Sequence, residues 1–133
     1  MDNTNINVEF RIIGDKFDLF EITNLLDITP SKTWSIDDEV HQTGKKHTYT
    51  CWAFSTGNEE TLDINTQLNK VYECFINKVD ILVKLKEKYN LEYCIDIIVI
   101  VENNEEPAMY LEPDLLRFAA NIGARIDFDL YIN

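Results

Sequence analysis

Apolar residues recur at every second position in INVEFRII, where Ile6, Val8, Phe10 and Ile12 alternate with Asn7, Glu9 and Arg11. Successive side chains leave a strand on opposite sides, so this period of two predicts a strand with one buried face. The same period closes the chain. In ARIDFDLYIN, Ile126, Phe128, Leu130 and Ile132 alternate with Arg125, Asp127, Asp129 and Tyr131. A strand there sends its oily side chains inward and displays two carboxylates, a guanidinium and a phenol. YCIDIIVIV puts Tyr93, Ile95, Ile97, Val99 and Val101 on one face, and on the other sets Ile98 and Ile100 beside Cys94 and Asp96. Being apolar almost throughout, it reads as a central strand. TYTCWAFST is rich in aromatic and β-branched residues and predicts a further strand, with Trp52 and Phe54 on one side and Tyr49, Cys51 and Ala53 on the other.

Between these segments the period changes to three and four. Gly14-Asp15 ends the first strand, and Asp18 and Glu21 then stand at the spacing of a capping box, with Phe17 and Ile22 placed as a hydrophobic staple. A helix is expected to begin at Asp18, with Ile22, Leu25 and Leu26 as its core stripe, and to stop at Pro30. From Leu62 to Tyr89 the residues Leu68, Val71, Phe75, Val79, Leu82 and Leu85 mark an amphipathic stretch. It is either one long helix or two hinged at Asn77-Lys78. Pro113 opens a last helix with the inner stripe Leu115, Leu116, Phe118, Ala119 and Ile122, ended by Gly123. Residues 30–47 are polar, with a short extended piece expected around Trp34, and form the longest irregular segment. The expected architecture is α+β: a two-layer sandwich in which an about four-stranded, mainly antiparallel sheet carries three or four helices on one face. Residues 1–133 read as one domain, with strand order left open.

Composition changes the picture mainly through charge. Asp and Glu total 24 against 12 Lys and Arg, a formal charge of -12. Phosphate backbones are bound by Lys and Arg, so nucleic acid is not an expected partner, whereas a basic protein is one that such a charge could steer. With 45% hydrophobic residues the chain can build an ordinary core without a metal or disulfide scaffold. Cys51, Cys74 and Cys94 are odd in number and far apart, and are expected to be buried, reduced thiols. MDNTNINVEF lacks a basic start followed by an apolar run, and no apolar stretch approaches spanning length, so a cytoplasmic protein without membrane contact is expected.

Four signals in order resemble a known family: FRIIGDKFDLFEITNLLDITP, CWAFST, the long amphipathic stretch, and AMYLEPDLLRFAANIGARIDFDLY. Together they are similar to the bacterial family called domain of unknown function 4279, whose members carry a strand-Gly-Asp-helix opening, a Trp-x-x-Ser strand and a closing Asp-x-Asp-x-Tyr strand. The matching positions here are Gly14, Ile22, Leu25, Leu26, Pro30, Trp52, Ser55, Gly123, Asp127, Asp129 and Tyr131. The Lys-Gly-Asp-like turn that often follows the first helix in the family is replaced by TWSIDDEV, which lacks the Gly. The resemblance implies no established activity. Small acidic bacterial families of this kind often include immunity proteins that neutralise toxins, and that analogy is the only functional lead it supplies.

The chemistry available is sparse. No GxSxG, P-loop, GxGxxG or HExxH occurs, so neither a nucleophile nor a cofactor site is expected. His41 and His47 match no zinc spacing and are expected to be solvated. Asp127 and Asp129 would lie about 7 Å apart on one strand face, and Asp96 could join them if the two strands are neighbours. A solvated acidic face outweighs a cation site there, since converging ligands are rare. Trp34 is the aromatic best placed to meet a partner, Trp52 being expected in the core. The candidate binding residues are therefore Arg11, Trp34, Asp96, Asp127, Asp129 and Tyr131. They are expected to serve a non-catalytic protein-binding module, with a small-ligand or metal-binding pocket at the polar sheet face as the alternative.

Overall fold

A computed structural model describes residues 2–133. The chain runs β1 (Asn5–Gly14), α1 (Leu19–Leu26), β2 (Lys32–Trp34), β3 (Thr50–Ser55), β4 (Glu59–Glu60), α2 (Asn65–Phe75), α3 (Val79–Tyr89), β5 (Glu92–Val101), α4 (Pro113–Ile122) and β6 (Ala124–Ile132). The period of two in β1 is realised residue by residue: Ile6, Val8, Phe10 and Ile12 are fully buried and the residues between them half-buried. The sheet order is β2-β3-β1-β5-β6, with β4 pairing the start of β1. β5 and β6 run parallel and all other pairings are antiparallel. The parallel pair follows from α4, which carries the chain back along the sheet between them. The sheet is thus mixed and six-stranded, not about four-stranded; β2 and β4 are three and two residues long, too short to leave a periodic signature.

The helices cover one face. Ile22 and Leu26 of α1, Leu68, Val71 and Phe75 of α2, Leu82 and Leu85 of α3, and Leu115, Phe118 and Ile122 of α4 join the inward residues of β1 and β5 in one apolar cluster. α2 and α3 are joined by a single 3-10 turn at Ile76–Lys78, which makes a broken rod with its joint at the Asn77-Lys78 pair. Aromatic packing locks this layer to the sheet: Phe75 stacks on Phe10 at 4.3 Å and meets Trp52 and Phe54 edge-on at 6.3 and 5.8 Å. Several buried polar groups of this layer find partners. Trp52 Nε1 donates to Thr23 Oγ1 at 3.0 Å, Tyr93 Oη donates to the Leu82 carbonyl at 2.6 Å, and Gln67 Nε2 donates to the carbonyls of Ile6 and Gly57 at 3.1 and 2.6 Å.

Local signals at the helix ends hold in part. The Asp18 side chain accepts from the amides of Phe20 and Glu21 at 2.9 and 3.3 Å, the N-cap expected of it. Glu21 does not return to the Asp18 amide; its carboxylate takes Lys88 at 2.7 Å and the Tyr89 hydroxyl, which ties α1 to α3. α1 stops not at Pro30 but at Asp27, whose φ of 55° lies in the left-handed region. Gly123 ends α4 at φ 67°, and its carbonyl accepts from Lys86 Nζ at 2.8 Å. Leu25 and Leu116, assigned to inner stripes by their spacing, are 44% and 46% exposed, each on the rim of its helix.

β6 departs further. Its apolar residues do lie on the helix side, since Ile126, Phe128, Leu130 and Ile132 pair in register with Ile95, Ile97, Val99 and Val101. Yet Phe128, Leu130 and Ile132 are 41%, 44% and 71% exposed. Only the start of the strand is covered, where Ala124 and Ile126 pack against the core. The expectation that these side chains are all buried is therefore corrected. Among the described residues no helix is long and apolar enough to cross a membrane.

Candidate functional site: the helix-free face of the sheet

Cross-strand register decides which polar side chains meet on the uncovered face. One row runs Lys32, Ala53, Arg11, Cys94, Arg125, and the next runs Ser55, Glu9, Asp96, Asp127. Asp129 follows beside Ile98, and Tyr131 beside Ile100. Cations thus share one row and carboxylates the adjoining one. Lys32 Nζ reaches Glu9 at 3.4 Å, Arg11 Nε lies 4.0 Å from Glu9, and Arg125 Nε lies 3.1 Å from Asp127. Pairs this exposed contribute little individually; their role is to set which carboxylates stay unpaired. Asp127 also accepts from the Cys94 thiol at 3.4 Å. Burial, and then that carboxylate, push the Cys94 thiol up to about 11, so it stays protonated at neutral pH and is no nucleophile.

Asp96 and Asp129 have no ion-pair partner among the described residues. Asp96 is half-buried and its Oδ1 is enclosed without a hydrogen-bond donor. Its burial raises the carboxyl to about 6, helped by the charge of Asp129, a hydrogen bond with that carboxylate, and Glu9; Arg11 offsets only part of this.

Arg11 and Trp34 belong to a second cluster. Trp34 lies in β2, the short extended piece expected around it, and it stacks on His47 at 4.5 Å and meets Tyr49 edge-on at 5.6 Å. The Arg11 guanidinium sits 5.7 Å from the Trp34 ring centroid, and its Nη2 donates to Tyr49 Oη at 3.5 Å. Trp34 is thereby half-buried within its own chain, and His47, expected to be solvated, is half-buried beneath it; His41 is exposed. β2 and β6 are at opposite ends of the sheet, four strand spacings or about 19 Å apart. The six candidate residues therefore form two groups and not one: Arg11 with Trp34, and Asp96 with Asp127, Asp129 and the exposed Tyr131. Cys94 lies on this face beside Asp96 as its spacing predicts, and Lys32 joins it without having been singled out by the sequence. The period of two from Trp34 back to Lys32 would have placed the lysine there.

The cavities lie elsewhere. One of about 490 Å³ sits between α2 and the start of α4 and is lined by Tyr72, Glu112 and Arg117. Another of about 280 Å³ lies between α1 and α3, lined by Leu25, Ile81 and Leu85. Among the described residues no three His, Cys, Asp or Glu side chains converge to hold a metal ion. All three cysteines are free; Cys51 and Cys94 are buried, while Cys74, expected to be buried, is exposed on α2.

No curated protein and no solved structure matches the chain. The sequence model of the family described as Domain of unknown function (DUF4279) matches residues 4–133. That match takes in the first strand, the core tryptophan, the helical layer and the acidic closing strand, and the chain belongs to this family.

Proposed function

We infer that the protein is a non-catalytic binding module that holds a basic protein against the acidic half of its open sheet face. An immunity-type inhibitor of a toxin is the form of that role which the family analogy suggests. The observation that carries the reading is the pair Asp96 and Asp129, carboxylates with no cation of their own, flanked by Asp127 and the exposed Tyr131 on a face that no helix covers. A cation brought by a partner would supply what the pair lacks, and the net charge of -12 would steer it there. None of the cavities described is lined by Asp96, Asp127, Asp129 or Tyr131, which favours a protein surface over a small ligand. A cytoplasmic setting fits the free cysteines.

The test is affinity capture from the source cell with the wild type and an Asp127→Lys/Asp129→Lys variant. A basic protein retained by the wild type and lost by the variant is the expected result. Its affinity should also fall as pH drops through about 6, where Asp96 takes up its proton. An identical set of captured proteins for both forms would refute the reading.

A further inference from the structure

The outer edge of β6 is separate from its polar face. Asn133 N donates to the Val101 carbonyl at 3.0 Å, so with the parallel register of β5 and β6 the odd-numbered residues turn their backbone groups toward β5. The N–H and C=O groups of Ile126, Phe128, Leu130 and Ile132 then point away from the sheet. Among the described residues β6 pairs only with β5; it is nine residues long and contains no Pro, and the charges that could blunt its edge are Arg125, Asp127 and Asp129. On its helix side Phe128, Leu130 and Ile132 remain 41–71% exposed.

We propose that this edge pairs antiparallel with β6 of a second copy of the chain, about a two-fold axis through Asp127, joining two sheets into one. Charge complementarity favours a second copy as the occupant. Arg125 is the one basic residue of β6. With the axis at Asp127, each Arg125 faces Asp129 of the other copy, Ile126 faces Phe128, Ala124 faces Leu130, and the two Asp127 carboxylates face each other, each with a guanidinium beside it. Each Asp127 is already held by its own Arg125 at 3.1 Å, so every guanidinium bridges two carboxylates. Moving the axis to Phe128 sets Asp127 against Asp129 twice, and moving it to Asp129 sets that residue against itself with no cation adjacent. Directly opposed like charges destabilise a strand pair, and opposed unlike charges stabilise it. A two-fold interface uses the same patch twice, and β6 is self-complementary in this register alone among the three. The inference requires no basic protein on the polar face, although it shares Asp129 with that face.

Sedimentation velocity over about 1 to 200 µM protein reads the association. The wild type is expected to dimerise within that range. Arg125→Asp and Asp129→Arg should each weaken association roughly tenfold or more, and the double swap, which restores the opposed pairs, should recover it. Phe128→Pro, which removes an outward N–H and leaves the β5 hydrogen bonds intact, should abolish dimers, whereas Phe128→Ala should only weaken them. Far-UV circular dichroism and a melting curve on each variant separate lost pairing from lost folding. A wild type that is monomeric throughout the range, or single charge swaps that leave association unchanged, would overturn the proposal.

Discussion

The two edges of the sheet are built on opposite plans. At one end β2 is three residues long, follows Pro30, and carries Lys32 and Trp34 on its polar side. Its flanks are tied inward to β3: the Ser31 amide donates to the Ala53 carbonyl at 2.7 Å, and the Ile36 amide to Thr50 Oγ1 at 2.9 Å. The segment beyond folds back so that His47 and Tyr49 pack on Trp34. At the other end β6 offers a full-length strand whose outer groups and apolar side chains are left uncovered. The first edge is short and its side chains are packed by its own chain. The second has the means to continue the sheet, and the difference teaches that the same α+β layer can spend one border on stability and leave the other available.

The largest effect that would sharpen this contrast is truncation of an aromatic at each border. Trp52, paired with β2 through Thr33 and fully buried, should cost about 3–5 kcal/mol when changed to Ala, through the cavity and the orphaned Thr23 hydroxyl. Phe128→Ala, at 41% exposure, should cost the monomer less than about 1 kcal/mol. Urea denaturation at low protein concentration measures both, and equal costs would dissolve the distinction between a closed and an open border.

A smaller effect is expected at Asp96. Its folded pKa of about 6 lies above the ordinary aspartate value of 3.8, so between those values the folded state holds a proton that the unfolded chain has released. Stability is then highest at and below about pH 4, declines as pH rises through the window to about 6, and stays reduced above it. Asp96→Asn removes the charge and should stabilise the protein by about 1 kcal/mol at neutral pH, after allowance for solvent screening, with no gain near pH 4. Denaturation midpoints at the two pH values decide it; a gain independent of pH would assign the effect to something other than this ionisation. The smallest effect belongs to Ile132→Ser at the open border, where 71% exposure should confine the change to within about 0.5 kcal/mol.

Much of this was legible in the chain. Alternation in INVEFRII placed Ile6, Val8, Phe10 and Ile12 inside, Asp18 announced its helix, Gly123 ended another, and the closing strand put Asp127 and Asp129 on one face. These are local properties: side-chain direction, capping and backbone permissiveness act over a few residues, so spacing encodes them. What spacing cannot encode is coverage. Leu25, Leu116, Phe128, Leu130 and Ile132 have the periodicity of core residues, and whether a neighbour reaches them depends on where the helical layer stops. The strand order, the parallel meeting of β5 with β6, the separation of Trp34 from the aspartates and the pairing of Asp96 with Asp129 were likewise decided only by the tertiary structure. Each joins residues far apart in sequence, and it is the assembled sheet that sets them side by side.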